Sequence, residues 1–216
     1  MHLYLRLSGK TTLLFNYAVN AASRGLRCVL LTRREAVELN PPLLAPDSAP
    51  AGTLSRIDMK YLHSEEELVK WCASLHLMTA LPHVILLDGL TALLDAPGQR
   101  DGHGAAGLPP REVRLARCLA LLTDAVQFAA GRAQTGTPPR GCQLIISDRS
   151  SDGGDSPPLW FVWRRWTPLV LTCRTVGASY HLGVLPTDTG PRCRTALRYS
   201  RTATALVAEG LVRPDG

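Results

Sequence analysis

The feature that most constrains this chain is the segment Ser8-Gly9-Lys10-Thr11-Thr12, which is followed at once by a helical pattern. Glycine lets the backbone approach a phosphate closely, and the N–H groups at a helix start attract anions. In loops of this kind the lysine contacts the terminal phosphates and the first threonine hydroxyl binds Mg²⁺. The segment therefore predicts a phosphate site formed by Ser8, Gly9, Lys10, Thr11 and Thr12, with Thr11 as a magnesium ligand.

The residues after Lys10 predict a buried helix. Gly25 suits the C-terminal end of such a helix, and Phe15 and Val19 form a second apolar stripe beside the main one. A helix that is apolar on nearly all sides packs against a sheet. The main stripe is Leu13, Leu14, Tyr17, Ala18, Ala21 and Ala22.

The loop before this helix departs from the full phosphate-loop pattern G-x-x-x-x-G-K-[ST]. Counting back from Gly9, the first glycine of the pattern is replaced by Tyr4. The tripeptide Gly-Lys-Thr by itself is a weak signal, because short motifs also occur by chance. The rest of the chain therefore has to support or weaken the nucleotide interpretation.

Length and composition favour one globular α/β domain. The chain has 216 residues, of which 45% are hydrophobic, and its mean hydropathy is +0.02. No apolar run approaches the roughly 20 residues that span a bilayer, and no secretory signal is predicted. The six cysteines are scattered without a C-x-x-C pair, which is typical of reduced intracellular thiols.

The formal net charge of +6 comes mostly from arginine. Guanidinium groups bind phosphates in a bidentate manner, so this bias favours a phosphate or nucleic-acid ligand. A coding sequence that merely favours Arg, Ala, Gly and Pro is the alternative, and composition alone does not separate the two.

Alternating apolar runs and helical patterns predict a doubly wound sheet. Strands are expected at 27–32, 57–62 and 143–147, and at 83–90, where an apolar run ends in Asp88. Ligands of open α/β sheets bind at the carboxyl ends of the strands, so Asp88 is a candidate magnesium ligand. An ordinary Asp-Gly turn is the alternative. Helices are expected after a capping box of Ser64 and Glu67 and over 111–130, closed by Gly131, and loops at 40–55, 95–110 and 150–158.

The pattern changes to short β segments after residue 159. These are expected at 159–166, 169–173, 180–185 and 192–199, with a hairpin turn at 187–191 and a final short helix at 202–209. Arg192, Arg194 and Arg198 would share one face of the last strand. That face either follows a phosphate backbone or is the solvated face of an edge strand, and both interpretations stay open.

This combination resembles the RecA-type recombinase core over almost the whole chain. Asp88-Gly89-Leu90-Thr91-Ala92-Leu93 resembles the second nucleotide motif of that family. The loop at 95–110 with the helix after it resembles the first DNA-binding loop, and 143–158 resembles the second. Within the family the chain is most similar to the small paralogues that partner a SWIM-type zinc-finger protein, through Leu31-Thr32-Arg33-Arg34, its compact size and the Trp-rich segment 160–166.

The resemblance implies a RecA-like P-loop NTPase core spanning 1–216, with a nucleotide-binding part at 1–158 and a C-terminal β extension at 159–216. The implied fold is a mostly parallel, doubly wound sheet extended by C-terminal antiparallel strands. ATP and Mg²⁺ are the implied cofactors, with Lys10 as a catalytic residue. Single-stranded DNA is an implied ligand, with Arg164, Arg165, Arg192 and Arg194 as candidate contacts.

The same resemblance implies a biological role. It implies a heterodimer with a SWIM-type zinc-finger protein that supports filaments of the recombinase and its paralogues. The implied setting is double-strand-break repair by homologous recombination in the nucleus.

Two departures from the family predict slow turnover. The catalytic glutamate would lie just after the 27–32 strand, where Glu35 is displaced by about one residue. The polar sensor after the 143–147 strand is usually an amide, and Arg149 is the nearest match here; arginine stabilises phosphate charge but cannot act as a base. We also expect that Met1–Leu7 derive from an alternative start or exon that weakens ATP binding. A non-catalytic scaffold with a degenerate phosphate loop is therefore the rival hypothesis.

Overall fold

The computed structural model describes residues 9–44, 49–95, 109–133, 141–150, 156–185 and 195–213. The predicted features at Tyr4, Ser8, Arg192, Arg194 and the turn 187–191 lie outside these ranges. The helices and strands of the described residues are, in chain order, α1 (Lys10–Ser23), β1 (Cys28–Thr32), α2 (Arg34–Glu38), β2 (Ile57–Tyr61), α3 (Glu65–Ser74), β3 (Val84–Asp88), α4 (Leu90–Leu94), α5 (Arg111–Ala133), β4 (Gln143–Ser147), α6 (Trp160–Trp163), β5 (Leu171–Val176), β6 (Ser179–Val184), β7 (Ala196–Arg201) and β8 (Leu206–Val212).

The first four strands form a parallel sheet in the order β2-β1-β3-β4. Every residue of β1 and β3 is buried, as expected for parallel strands that are covered on both faces. The strand predictions at 27–32, 57–62, 83–90 and 143–147 are confirmed. The strand β4 is only half-buried, however, because it is the last strand of this sheet within the described residues.

Helices pack on both faces of the parallel sheet. On one face α1 buries Leu14 and Ala18 against Leu30 and Leu86. On the other face, alternate residues of the same strands, such as Leu87, join a core with the helices α3, α4, α5 and α6. The side-chain period of two along each strand thus divides the core into two halves. This arrangement confirms an α/β fold with a parallel sheet.

The ends of α1 and α3 follow from local chemistry. After α1, Gly25 has φ +80°, and the N–H groups of Gly25 and Leu26 bond to the carbonyls of Ala22 and Ala21. These two bonds form a Schellman motif. Before α3, the Ser64 hydroxyl accepts from the Glu67 N–H. The predicted ends at Gly25 and Ser64 are confirmed, but the Glu67 carboxylate accepts from the His63 N–H and not from Ser64, so the capping box is only half formed.

Two details of the helices differ from the prediction. Tyr17 is 40% exposed and donates its hydroxyl hydrogen bond to Gln143 Oε1, so it does not belong to the buried stripe of α1. Gly131 does not close α5, which continues to Ala133. A glycine inside a helix lowers its stability by only about 1 kcal/mol relative to alanine, so α5 can continue through Gly131.

The C-terminal strands form a separate antiparallel sheet in the order β5-β6-β7-β8. The expectation that they extend the parallel sheet is therefore wrong for the described residues. The predicted strand at 159–166 is wrong as well, because its middle is the helix α6. Trp163 is buried there and donates its indole N–H to the carbonyl of Pro158. Burial of the tryptophan outweighs the β preference of an aromatic segment.

The predicted helix at 202–209 is also wrong, because β8 begins at Leu206. The alanines of this segment favour a helix, but Thr202 instead forms a tight turn. Its N–H donates to the Ala205 carbonyl, and its hydroxyl accepts from the Ala205 N–H. This turn directs β8 back along β7, and the pairing of whole strands outweighs local propensity. Among the described residues, no helix is long and apolar enough to cross a membrane.

Candidate functional site

The candidate site lies where α1 begins. Gly9 precedes the helix with φ +71°, and its carbonyl accepts the first helical hydrogen bond from Leu13. No side chain of the described residues caps this helix start, and its first turn holds no acidic residue. The backbone N–H groups of that turn therefore present positive charge, as required for binding an anion.

Asp88 at the end of β3 lies directly beside this helix start. The Thr11 hydroxyl donates to Asp88 Oδ2 at 2.5 Å, and the Ser147 hydroxyl donates to Asp88 Oδ1. Asp88 is only 9% exposed, and the two hydroxyl donors, one from α1 and one from β4, satisfy its buried carboxylate. The structure thus brings together Thr11 and Asp88, both predicted as magnesium ligands.

This donor set fits Mg²⁺. Magnesium prefers oxygen ligands and is usually bound by one or two carboxylates together with substrate phosphates and waters. Thr11 supplies a hydroxyl oxygen, Asp88 a carboxylate, and the start of α1 a place for phosphate. Lys10, at the first position of the helix, is the predicted contact for terminal phosphates.

A second carboxylate, Asp148, directly follows β4, the strand that pairs with β3. Its Oδ2 accepts from the Thr91 N–H at 2.9 Å, and its Oδ1 accepts from the Thr91 hydroxyl at 2.5 Å. Burial raises the pKa of Asp148 above its usual range, while the bonds from Thr91 and the positive charge of Lys10 act in the opposite direction. The carboxyl edge of the sheet therefore carries two aspartates near one lysine.

Thr12, predicted to bind nucleotide, is engaged elsewhere. Its side chain is 5% exposed, and its hydroxyl accepts from the N–H of Leu43 at 3.2 Å. Asn16, one turn later, donates to the carbonyls of both Thr12 and Leu43. The side chain of Thr12 thus connects α1 to the segment 41–44.

Glu35, the nearest match to the catalytic glutamate of the family, lies on the exposed helix α2. It forms an ion pair of 3.3 Å with Arg33. Its own backbone N–H, and then the charges of Arg33 and His63, lower the pKa of its carboxyl. An exposed carboxylate with a lowered pKa is a poor proton acceptor. The structure does not bring Glu35 into the Thr11–Asp88 cluster.

Arg149, predicted as the sensor, has an exposed side chain. Its backbone N–H donates to Asp148 Oδ1 at 2.7 Å. The side chain that enters the cluster from the end of β4 is that of Asp148, one residue earlier. Asp148 and Ser147 were not predicted as site residues, although a polar pair directly after an apolar strand is the same signal that identified Asp88.

Arg164 and Arg165 lie on the exposed turn that follows α6. A groove of about 270 Å³ opens beside them, with one wall from α5 and the other from α6. Phe161 and Trp166, at its rim, are 53% and 39% exposed. The groove is lined by Ala116, Phe161, Val162, Arg165 and Trp166.

Arg198 is the only one of the three arginines predicted on the last strand that falls within the described residues. It lies on β7, which pairs with β6 and β8, so the interpretation of this face as an edge strand is wrong. Its guanidinium forms an ion pair of 2.6 Å with Glu209 on β8. This pairing reduces its capacity to bind a phosphate.

Comparisons with known proteins add no relative. No protein-family model matches the chain, and a search of curated proteins found no similar sequence. In the part of the chain that the structure describes, no group of three or more His, Cys, Asp or Glu side chains could hold a metal ion by itself.

Proposed function

We propose that this chain is a nucleotide-binding subunit of the RecA-type recombinase class, a weak DNA-dependent ATPase that uses ATP and Mg²⁺. The observation that supports this function best is the hydrogen bond between Thr11 and Asp88. It joins the hydroxyl after a Gly-Lys pair to the carboxylate that ends a buried parallel strand. Phosphate-loop NTPases use these two groups in these two positions.

The residues of the site have distinct roles in this proposal. The N–H groups at the start of α1 and the ammonium of Lys10 bind the phosphates. Thr11 and Asp88 hold Mg²⁺, which neutralises charge on the phosphates when it is bound. Because Glu35 lies outside the cluster, the described part of the chain offers no dedicated base to activate water there, and we expect hydrolysis to be slow.

The direct test is equilibrium binding of a fluorescent ATP analogue with Mg²⁺. Micromolar binding that Lys10→Ala abolishes supports the proposal. Lys70→Ala is the matched control, because Lys70 is exposed on α3. Absence of binding by the unchanged chain contradicts a nucleotide function.

We propose that single-stranded DNA binds at the groove between α5 and α6. Exposed aromatic rings next to arginine suit this ligand, because bases stack on the rings and phosphates pair with guanidinium groups.

Arg165→Ala combined with Trp166→Ala should weaken binding of a fluorescent oligonucleotide. Loss of one phosphate contact should also lower the slope of the logarithm of affinity against the logarithm of salt concentration by about 0.7. Arg24→Ala, on the exposed end of α1, is the control. Equal losses in both variants contradict this location.

We further propose that the chain acts in the nucleus as a heterodimer with a SWIM-type zinc-finger protein and supports recombinase filaments. The support for these partners is the sequence resemblance alone. Coexpression and co-purification with such a protein test it. Recovery of the chain only as a free monomer contradicts the heterodimer.

A non-catalytic scaffold is the second candidate function. Three leucines of the C-terminal segment keep at least half of their surface exposed in the isolated chain, which favours a partner surface there. They are Leu169, Leu171 and Leu211. If Lys10→Ala leaves both partner binding and DNA repair intact, the scaffold function is supported and the ATPase function is contradicted.

A further inference from the structure

Asp148 joins the candidate nucleotide site to the helix that follows Asp88. Its carboxylate accepts both the N–H and the hydroxyl of Thr91, at the beginning of α4. Ser147, the preceding residue, bonds to the Asp88 carboxylate through its hydroxyl and to the Gly89 N–H through its carbonyl. The end of β4 therefore holds both ends of the segment from Asp88 to Thr91.

Asp148 also changes the charge of the site. Asp88 ends β3 in register with Ser147, the last residue of β4, and Asp148 follows directly after Ser147. Lys10 is close enough for its charge to act on the Asp148 carboxylate. Asp88 and Asp148 thus bring two carboxyl groups to the edge of the sheet beside the start of α1, where a polyphosphate would bind in the proposed site.

We propose that Asp148 is a positioning residue that fixes Thr91 and, by its charge, makes nucleotide binding depend on Mg²⁺. This inference rests on the proposed nucleotide site. A triphosphate without metal is repelled by Asp88 and Asp148 together, whereas its Mg²⁺ complex carries less negative charge and supplies the cation that Asp88 binds. Removal of the Asp148 charge should therefore favour the metal-free nucleotide selectively.

The experiment compares the affinity for a fluorescent ATP analogue in EDTA and in excess Mg²⁺. The quantity of interest is the ratio of the dissociation constant in EDTA to that in Mg²⁺. In Asp148→Asn this ratio should fall roughly tenfold, because one repulsive charge is removed in a partly desolvated site. Thr91→Val is the matched control. It removes the hydroxyl bond to Asp148 but keeps the charge, so its ratio should equal that of the unchanged chain.

Each outcome decides one question. An unchanged ratio in Asp148→Asn, or an equal fall in Thr91→Val, overturns the inference and leaves the nucleotide site intact. No binding by the unchanged chain under either condition overturns the proposed function and this inference with it. If Asp148→Asn does not fold by circular dichroism, Asp148→Ser replaces it, because serine also removes the carboxylate charge. The ratio should fall in the same way, and an unchanged ratio overturns the inference.

Discussion

Thr11 and Asp88 are 77 residues apart in the sequence, yet the hydroxyl of the first donates to the carboxylate of the second at 2.5 Å. One begins a helix and the other ends a strand of the sheet on which that helix packs. The hydrogen bond brings an oxygen pair suited to Mg²⁺ to the start of α1, where backbone N–H groups attract anions.

Replacement of Thr11 by valine tests this relationship. Valine keeps the shape of threonine but neither donates to Asp88 nor binds a metal ion. Because the variant offers Mg²⁺ one oxygen ligand fewer, affinity for the Mg²⁺–nucleotide complex should fall by roughly tenfold or more. Fluorescence titration measures it.

Thr123→Val is the control for this substitution. The Thr123 hydroxyl donates only to the Leu119 carbonyl within α5, so affinity should not change. Equal affinities of Thr11→Val and the unchanged chain would show that the Thr11 hydroxyl does not take part in binding.

Removal of one partner of the buried ion pair between Glu65 and Arg114 should destabilise the fold strongly. Its atoms are 2.6 Å apart, the two side chains are only 7% and 12% exposed, and Arg114 also donates to the Leu94 carbonyl. Glu65→Gln removes the charge that compensates a buried guanidinium, so the free energy of unfolding should fall by about 3 kcal/mol. Urea denaturation measures this loss.

The exposed pair of Arg34 and Glu38 provides the comparison. Glu38→Gln should change the free energy of unfolding by less than about 0.5 kcal/mol, because water screens exposed charges. Similar losses in Glu38→Gln and Glu65→Gln would contradict the dependence on burial.

Gly9 is constrained both by its backbone and by Leu206. Its φ is +71°, and a Cβ added there would lie 3.2 Å from Leu206 Cδ2. Gly9→Ala should destabilise the chain by about 1–2 kcal/mol through the backbone alone, and by more through the contact. Gly25→Ala isolates the backbone part, because Gly25 has φ +80° with nothing within 4 Å of its Cβ position.

The contact part can be measured by a double-mutant cycle of Gly9→Ala with Leu206→Ala. The double variant should be more stable than the sum of the single losses predicts. If the losses in unfolding free energy of the two single variants simply add, Leu206 does not contact the new side chain at position 9, and the antiparallel sheet does not restrict that position.

Two buried thiols should react slowly. Burial raises the pKa of Cys28 to about 11 and that of Cys118 to about 12. Only the thiolate reacts with alkylating reagents, so at pH 8 Cys28 should be modified more than about a hundredfold, and Cys118 more than about a thousandfold, more slowly than in the unfolded chain. Peptide mapping after alkylation in buffer and in urea measures this difference. Equal rates would contradict their burial.

The same pKa shifts give the sign of a pH effect on stability. The folded state keeps these protons where the unfolded state has lost them, so the thiols stabilise the fold below an unfolded pKa of about 8.5. That contribution should decline as the pH rises from about 9 towards 11. Cys28→Ala should reduce the slope of the unfolding free energy over this interval. An unchanged slope would contradict the prediction for Cys28.

The sequence alone predicted most of the parallel half of the fold. Runs such as Cys28–Thr32 and Val84–Asp88 are apolar at nearly every position, and only a covered parallel strand accommodates that pattern. The caps at Gly25 and Ser64 were predictable because each depends on neighbours in the chain. Asp88 was predictable as a site residue because it ends such a strand.

The C-terminal half was harder to predict because its signals depend on tertiary contacts. The segment around Trp163 contains strand-forming residues but becomes helical where the tryptophan is buried and bonded to Pro158. The strand β8 is stabilised by its pairing with β7, and the local sequence of β8 does not indicate that this pairing occurs.

The sequence by itself therefore determined the parallel strands, the helix that begins at Lys10 and the carboxylate at Asp88, because these follow from periodicity and local chemistry. Only the tertiary structure decided that Asp148 rather than Arg149 reaches the site, that Glu35 stays outside it and that Leu206 contacts Gly9. Each of these depends on where a side chain points relative to an element far away in sequence. Packing of the sheet fixes that geometry, and residue spacing does not encode it.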